Sequence, residues 1–280
     1  MRKHVLAFLL ALSFPLAAQE PWQPPRTPDG QPDMQGIWQF DGGAAAAVSA
    51  MVSLEGDRGP FAKELLRWYA VEEKISAFKP KTTSFVVDPP DGVIPYQPWT
   101  SERRLAQMEN TTRPTKREHV DPNARSLLTG VPRINSYPTP LQIVQVPGAV
   151  LLLYENKHAY RVVPLDGRPH VSSSIKLYLG DSRGRWEGNT LVVDVTNQNG
   201  LAWIDALGFS SDQLHVVERW TMAVPDRIDY RATLTDPTVF TRPWTLSYSF
   251  VRDKRVTELM ESAEFEGNRI VEMTLGGAGR

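Results

Sequence analysis

Polar side chains interrupt apolar segments in the C-terminal half of the chain, and these groups are the best equipped to do chemistry. They are Tyr154, Asp194, His215, Glu218 and Arg219. Burying such a group costs about 1–3 kcal/mol unless it is paired with another polar group. The side chains must therefore bond to one another, point outward or line a cavity, and the sequence leaves all three arrangements open.

Proton transfer is the chemistry that these residue types favour. Histidine changes charge near neutral pH, so His215 is the candidate general acid or base. Asp194 or Glu218 would orient its ring, and Tyr154 would donate a hydrogen bond to a developing oxyanion. If 214–220 is a strand, the offset of three puts His215 and Glu218 on opposite faces. The alternative for each residue is an outward-facing charge or a structural ion pair.

The segment 197–213 is the longest break between the late apolar runs, and it carries large apolar side chains. A long loop with aromatic groups between two strands that bear polar residues is typical of a lid over a site. Trp203 and Phe209 from this loop, with Arg219, form the predicted substrate-binding group. A helix-like plug on the end of the sheet fits the same composition.

Several other kinds of site lack the residues they need. The four histidines after residue 18 contain neither an i, i+4 pair nor a His-x-His triplet, so no metal site is predicted. The chain has no phosphate loop, dinucleotide fingerprint or Gly-x-Ser-x-Gly elbow, and no cofactor is expected. The formal net charge is −1, and basic residues alternate with glutamates, so no nucleic-acid partner is expected.

The N-terminus has the pattern of an export signal. Arg2 and Lys3 precede an apolar run over 5–16 that is too short for an ordinary transmembrane helix. Residues 1–18 are therefore predicted to be a signal peptide, with no integral membrane segment after cleavage, and the protein is expected in the periplasm or outside the cell. The absence of cysteine excludes disulfides and a cysteine nucleophile.

The regions after the signal differ in their patterning. Apolar residues from Phe61 onward recur at three- and four-residue spacing behind Pro60, which predicts a helix over 60–78. A second short helix is indicated over 102–109, and the alanine-rich stretch 44–50 is left unassigned. The predicted regions are a proline-rich leader over 19–35, an N-terminal strand, helix and irregular extension over 36–140, and an antiparallel β meander over 141–280.

Turn pairs such as Pro147-Gly148 and Gly188-Asn189 separate β-rich runs throughout the meander. A sheet of so many strands must close or stack to hide its edges. The predicted fold class is all-β, an antiparallel barrel or strongly curved meander sheet with an N-terminal extension containing one helix. The predicted strands are 36–40, 141–146, 149–155, 159–165, 175–179, 183–187, 190–196, 214–223, 228–235, 244–252, 255–262 and 269–275.

The triplet Gly36-x-Trp38, which opens the first strand, resembles the start of lipocalin-type barrels. In that family the tryptophan plugs one end of the barrel, and an arginine from a late strand packs over it. The resemblance implies an antiparallel lipocalin-like barrel, in which Arg252 or Arg269 packs over Trp38.

A second resemblance covers most of the chain after residue 18. It rests on the segments RTPDGQPD, GVPR, GDSRGRWEGNTLVVD, LHVVER and EGN, which are similar to those of an exported and largely uncharacterised bacterial family. That family usually has a cysteine shortly before GVPR and another before EGN, where this chain has Ser126 and Glu264. In that family a histidine usually follows the second cysteine, and this chain has Phe265 at that position. The resemblance implies an exported fold and no transferable chemistry.

These observations predict an exported enzyme that acts on a small, mostly apolar molecule by acid–base chemistry, of lyase, isomerase or hydratase type, in a barrel cavity. The alternative is a non-catalytic, lipocalin-like protein that binds such a molecule without changing it. A scaffold role fits a barrel without a cavity. The oligomeric state is left open.

Overall fold

The computed structural model describes residues 22–61, 83–262 and 268–277. Ten strands of this part of the chain form one antiparallel sheet. They are β1 Gly36–Phe40, β2 Val86–Asp88, β3 Leu141–Val146, β4 Ala149–Tyr154, β5 Tyr160–Pro164, β6 Asp181–Glu187, β7 Thr190–Thr196, β8 His215–Val224, β9 Arg227–Thr235 and β10 Trp244–Arg252. The α-helices within the described residues are α1 Gly43–Val52, α2 Thr100–Thr112 and α3 Ile270–Gly277.

The strands curve into a nearly closed barrel, which confirms the predicted fold class. Hydrogen-bonded neighbours follow the order β5-β4-β3-β1-β10-β9-β8-β7-β6, and β2 pairs with β10 off this path. The two ends of the order, β5 and β6, meet through side chains. A Cβ added to Gly184 of β6 would lie 2.6 Å from Cγ1 of Val163 in β5, so glycine allows the two strands to approach closely.

Strand alternation decides which side chains face the barrel interior. The predicted apolar faces of β9 and β10 are both buried, as a period of two requires. These faces are Ile228, Tyr230, Ala232 and Leu234 on β9, and Trp244, Leu246, Tyr248 and Phe250 on β10. The aromatic rings pack on one another, and the Trp220 and Phe250 ring centroids lie 5.2 Å apart in a stacked arrangement.

The geometry around Trp38 agrees with the lipocalin resemblance. Trp38 is completely buried, and its indole Nε1 donates to the carbonyl of Met34 at 2.9 Å. The guanidinium carbon of Arg252 lies 4.3 Å from the centroid of the Trp38 ring, so Arg252 is the late-strand arginine. Gly36 has a φ of +124°, and a Cβ there would lie 2.2 Å from Nη1 of Arg252. This explains the glycine of the triplet.

Three predicted strands are wrong. Segment 175–179 is held against the end of β7 by the Asn197 side chain, whose Nδ2 donates to the Ser172 and Ile175 carbonyls at 2.8 and 3.0 Å. Segment 255–262 follows a turn in which Asp253 accepts the Arg255 N–H at 2.9 Å. Both segments have the residues of a strand and make no ladder with the sheet in the described structure.

The third, 269–275, lies in helix α3. The Asn268 side chain accepts the Ile270 N–H at 3.0 Å, which forms an Asx turn directly before the helix. Val271 is the buried residue of this helix, with 8% of its surface exposed. Its β-branched residues favour a strand, but a strand also requires an edge to pair with.

The N-terminal extension contains more helix than the pattern predicted. Helix α1 covers the unassigned alanine-rich stretch, and α2 extends the predicted 102–109 helix at both ends. The predicted helix over 60–78 lies outside the described residues from position 62 onward, as do the predicted signal peptide and residues 19–21. Among the helices that the structure describes, none is long and apolar enough to cross a membrane.

Candidate functional site

Two histidines and two aspartates meet on the outer wall of the barrel, and we call this group the His/Asp row. Its members are His170, Asp181, Asp194 and His215. On β7, Val193 and Val195 belong to the core, so Asp194 between them points outward. His215 is the first residue of β8, the neighbouring strand, and its side chain is 42% exposed.

Hydrogen bonds connect the row from end to end. His215 Nε2 lies 2.9 Å from Oδ2 of Asp194, and His170 Nε2 lies 2.9 Å from Oδ1 of the same carboxylate. The other nitrogen of His170, Nδ1, lies 2.7 Å from Oδ2 of Asp181. Asp181 also accepts from Nη1 of Arg183 at 2.8 Å. Asp194 therefore positions two imidazole rings.

The contacts assign the hydrogen-bonding roles of the rings. A carboxylate only accepts hydrogen bonds, so the ring nitrogens that face Asp194 and Asp181 are donors. His170 faces a carboxylate with each of its two ring nitrogens. In its neutral form, a His215 ring that donates from Nε2 to Asp194 carries its lone pair on Nδ1. Within the described residues, Nδ1 of His215 has no hydrogen-bond partner.

The two rings also act on the ionisation of Asp194. Partial burial of Asp194 favours its neutral form and raises its pKa. The hydrogen bonds and the positive charge of His215 and His170 have a larger combined effect in the other direction, so the pKa of Asp194 is lowered. A carboxyl whose folded pKa is lowered stabilises the fold above its unfolded pKa and loses this contribution as the pH falls through the folded value.

We therefore expect Asp194→Asn to cost stability in a pH-dependent way. The difference in the free energy of unfolding between wild type and Asp194→Asn should be largest above the ordinary Asp pKa of 3.8 and should shrink below it. Urea unfolding of both proteins at several pH values above and below 3.8 measures the difference. A difference that stays constant as the pH falls would contradict the assigned hydrogen bonds.

A second polar group lies inside the barrel, and we call it the inner network. Its members are Asn135, Tyr154, Arg161, Ser182, Glu218 and Tyr230. All six are buried, and Glu218 is completely inaccessible. Glu218 lies on the inner face of β8 together with Val216 and Trp220. His215 lies on the opposite face of the strand, as the offset of three residues predicted.

Glu218 is the centre of the inner network. Its Oε1 accepts from Asn135 Nδ2 at 2.8 Å, Tyr230 Oη at 2.9 Å and Arg161 Nη1 at 3.1 Å. Its Oε2 accepts from Nη2 of Arg161, which also donates to Ser182 Oγ at 3.0 Å. Arg161 thus reaches from β5 to β6 and β8, and it connects the two ends of the sheet.

The tyrosines of the inner network are held in their protonated forms. Burial raises the pKa of the Tyr154 phenol to about 12, although the neighbouring Arg161 acts in the opposite direction. Burial and the adjacent Glu218 carboxylate raise the pKa of Tyr230 well above its ordinary value. The single donor of Tyr154 is directed at Oδ1 of Asn135 at 2.7 Å, so a ligand oxyanion would have to displace Asn135.

The structure therefore divides the predicted catalytic residues between two faces of the barrel wall. Asp194 and His215 are together in the His/Asp row, whereas Tyr154 and Glu218 are together in the inner network. Of the predicted substrate-binding group, Arg219 lies on the outer face of β8 and pairs with Glu187 at 2.9 Å.

The other two members of that group lie in the loop 197–213, where Trp203 and Phe209 form an isolated β-bridge. Phe209 is buried with 1% of its surface exposed, and it packs on Trp99 of the N-terminal extension at 5.8 Å between ring centroids. Trp203 lines a surface cleft next to α2. The loop thus packs on the helical extension.

Sequence reasoning did not assign six of these residues to a site: Asn135, Arg161, His170, Asp181, Ser182 and Tyr230. Arg161 could have been found, because it shares a strand face with the apolar Val163 and must enter the interior with it. His170 precedes β6 in an irregular segment, and no local pattern places it beside Asp194. In the described residues, no group of three or more His, Asp or Glu side chains is arranged to hold a metal ion.

Comparisons with known proteins add no relationship to this geometry. No protein family, curated protein or solved structure matches the chain.

Proposed function

We propose that this protein is an exported enzyme that acts on a small, mostly apolar molecule by proton transfer, in a reaction of lyase, isomerase or hydratase type. His215 is the acid–base group, and Asp194 orients and stabilises it. The observation that carries the proposal is the 2.9 Å contact between His215 Nε2 and Asp194, which leaves Nδ1 of a half-exposed ring to react. The signal pattern of residues 1–18 supports export.

The proton balance of such a reaction follows from the geometry. Nδ1 of His215 takes a proton from an acidic C–H of the substrate, and the electron pair of that bond stays on the substrate. The imidazolium that forms keeps its Nε2–H on Asp194, whose negative charge stabilises it. The same proton then returns to another substrate atom in an isomerase, or to the leaving group in a lyase. His170 and Asp181 hold Asp194 in place.

An apolar substrate fits the surroundings of the row. The segment that follows His170 exposes three apolar side chains, Val171, Ile175 and Leu177, at 37%, 48% and 44% of their surfaces. Asn197 of the β7 end holds this segment through the carbonyl of Ile175. Apolar side chains exposed beside polar groups are typical of a ligand-binding surface.

The proposal leaves Glu218 and Tyr154 outside the reaction, because both are committed to the inner network. Their predicted catalytic roles would require a substrate inside the barrel. Arg219 shares the outer face of β8 with His215, lies four residues further along the strand and pairs with Glu187.

The test uses His215→Gln, which removes the base and keeps a side chain that can reach Asp194. With a substrate recovered by mass spectrometry from the native exported fraction, we expect kcat to fall by at least about 100-fold. The matched control is His158→Gln, since His158 is exposed and lies outside the row. Its kcat should stay at the wild-type value.

Circular dichroism and urea unfolding show whether His215→Gln keeps the fold. Full turnover by a folded His215→Gln would exclude the acid–base role. Loss of turnover in both variants to the same degree would also contradict it, since only one of them touches Asp194.

A binding protein without catalysis is the second candidate, and one cleft favours it. The cleft has a volume of about 310 Å³, and its apolar side is lined by Val48, Met51, Val52, Pro138 and Ala206. This is the size of small-molecule sites, which begin at about 300 Å³. If the native ligand binds with equal affinity to wild type and His215→Gln and no product forms, the binding function replaces the enzyme.

A further inference from the structure

A second surface cleft lies where α2 meets the loop 197–213 and the 3₁₀ turn Arg117–His119, and we call it the Trp203 cleft. Its volume is about 230 Å³. A cavity of about 150 Å³ holds one benzene ring, so the cleft has room for a molecule with a single ring. Its main lining residues are Arg103, Gln107, Asn110, Glu118, His119 and Trp203. They come from three separate parts of the chain, so the tertiary fold builds the cleft.

Arg103 forms no ion pair in the described structure, although the carboxylate of Glu118 lines the same cleft. Its guanidinium carbon lies 3.7 Å from the centroid of the buried Phe209 ring, so one flat face of the group stacks on Phe209. Across the described residues, no carboxylate or carbonyl pairs with it. The next residue, Arg104, shows the contrast, because it is buried and bonded to Glu55 at 2.6 Å.

Stacking leaves the N–H edge of Arg103 for another partner. Contact with the protein surface removes part of its hydration, and this burial lowers the pKa of Arg103. A partly desolvated cation that forms no ion pair gains when an anion reaches its edge. The planar fork of a guanidinium matches the two oxygens of a carboxylate.

The neighbouring groups restrict the ligand further. The Thr115 N–H donates to Nδ1 of His119 at 3.2 Å, so His119 carries its proton on Nε2 and is a second donor in the lining. Glu118 lines the same cleft and opposes a high negative charge. The indole of Trp203 supplies a flat apolar surface. A single carboxylate on an aromatic ring satisfies all three conditions.

We propose that the Trp203 cleft binds a planar aromatic monocarboxylate, with the carboxylate on the N–H edge of Arg103 and the ring against Trp203. This site shares no residue with the His/Asp row, and it does not depend on the acid–base role of His215. Its test measures binding in the absence of turnover, so either proposal can fail alone.

The probes are benzoate and its neutral isostere benzamide. Each is titrated into the protein as the cell produces and processes it, and calorimetry measures the binding. Wild type should bind benzoate with a Kd below about 10 mM, as expected for a small fragment. Benzamide should bind at least about 10-fold more weakly, because it lacks the charge. This comparison needs no variant.

Two variants locate the site. Arg103→Gln should weaken benzoate binding about 10- to 100-fold and leave benzamide binding unchanged. Trp203→Leu should weaken both probes. The matched control is Arg113→Gln, since Arg113 is an exposed arginine at the end of the same helix, and it should bind both probes like wild type.

Three results would overturn the proposal. One is no saturable benzoate binding to wild type up to about 10 mM. Another is equal affinity of wild type for benzoate and benzamide. The third is equal benzoate affinity of Arg103→Gln and Arg113→Gln, with thermal unfolding used to confirm that both are folded.

Discussion

Glu218→Gln should lower the free energy of unfolding by about 3–5 kcal/mol, because it leaves the Arg161 guanidinium buried without its counter-charge. Arg161 and Glu218 are 4% and 0% exposed, so water cannot replace the lost partner. Glu218 raises the pKa of Arg161 against the effect of burial, and the arginine therefore stays charged. The amide of glutamine keeps the shape of Glu218 and removes its charge.

Urea unfolding measures the change. Glu187→Gln is the matched control, because Glu187 pairs with Arg185 and Arg219 on the exposed face, at 2.7 and 2.9 Å. An exposed pair contributes about 0–1 kcal/mol, so this control should remain close to wild type. A Glu218→Gln protein as stable as the Glu187→Gln protein would contradict the buried ion pair.

A double variant separates the ion pair from the packing around it. Arg161→Met combined with Glu218→Leu removes both charges and fills the space with apolar atoms. We expect it to be more stable than Glu218→Gln alone, because no unpaired charge remains. Asn135 and Tyr230 lose a partner in this variant, so it should remain below wild type.

Trp38→Ala should lower the free energy of unfolding by about 3–5 kcal/mol, because it opens a cavity where β1 enters the barrel. The side chain is completely buried and belongs to the main core, and its Nε1 bonds to Met34. The substitution also removes the ring under the Arg252 guanidinium, which lies 4.3 Å from its centroid.

The control for Trp38→Ala is Tyr160→Ala on β5, an aromatic residue with 65% of its surface exposed. This surface substitution should change stability by less than about 1 kcal/mol. Thermal and urea unfolding of both variants give the comparison. A Trp38→Ala protein within about 0.5 kcal/mol of wild type would remove the energetic basis of the lipocalin resemblance.

The sequence alone determined the faces of the long strands. A period of two places Ile228, Tyr230 and their partners inside without knowledge of any neighbouring strand. The same rule put His215 and Glu218 on opposite sides of the wall. Turn pairs predicted most strand ends to within one or two residues, because glycine, proline and asparagine act on the backbone locally.

Local patterns could not decide whether a β-rich segment finds a partner. Segments 255–262 and 269–275 have apolar residues similar to those of true strands, yet they make no ladder in the described sheet. Strand propensity measures fit to a pleated, half-buried surface, and that surface exists only when a neighbouring strand supplies it. Segment 269–275 instead lies in a helix that follows an Asx turn formed by Asn268.

Only the tertiary structure decided which polar residues meet. Arg161 reaches Glu218 because barrel closure brings β5 beside β6, and His170 reaches Asp194 because its segment crosses the outer wall. Asp194 and Glu218, both carboxylates on neighbouring strands, were equal candidates to orient His215. Strand alternation placed them on opposite faces of the wall. Long-range contacts then paired Asp194 with two histidines and Glu218 with a buried arginine. Such contacts depend on where distant strands lie, so no local pattern contains them.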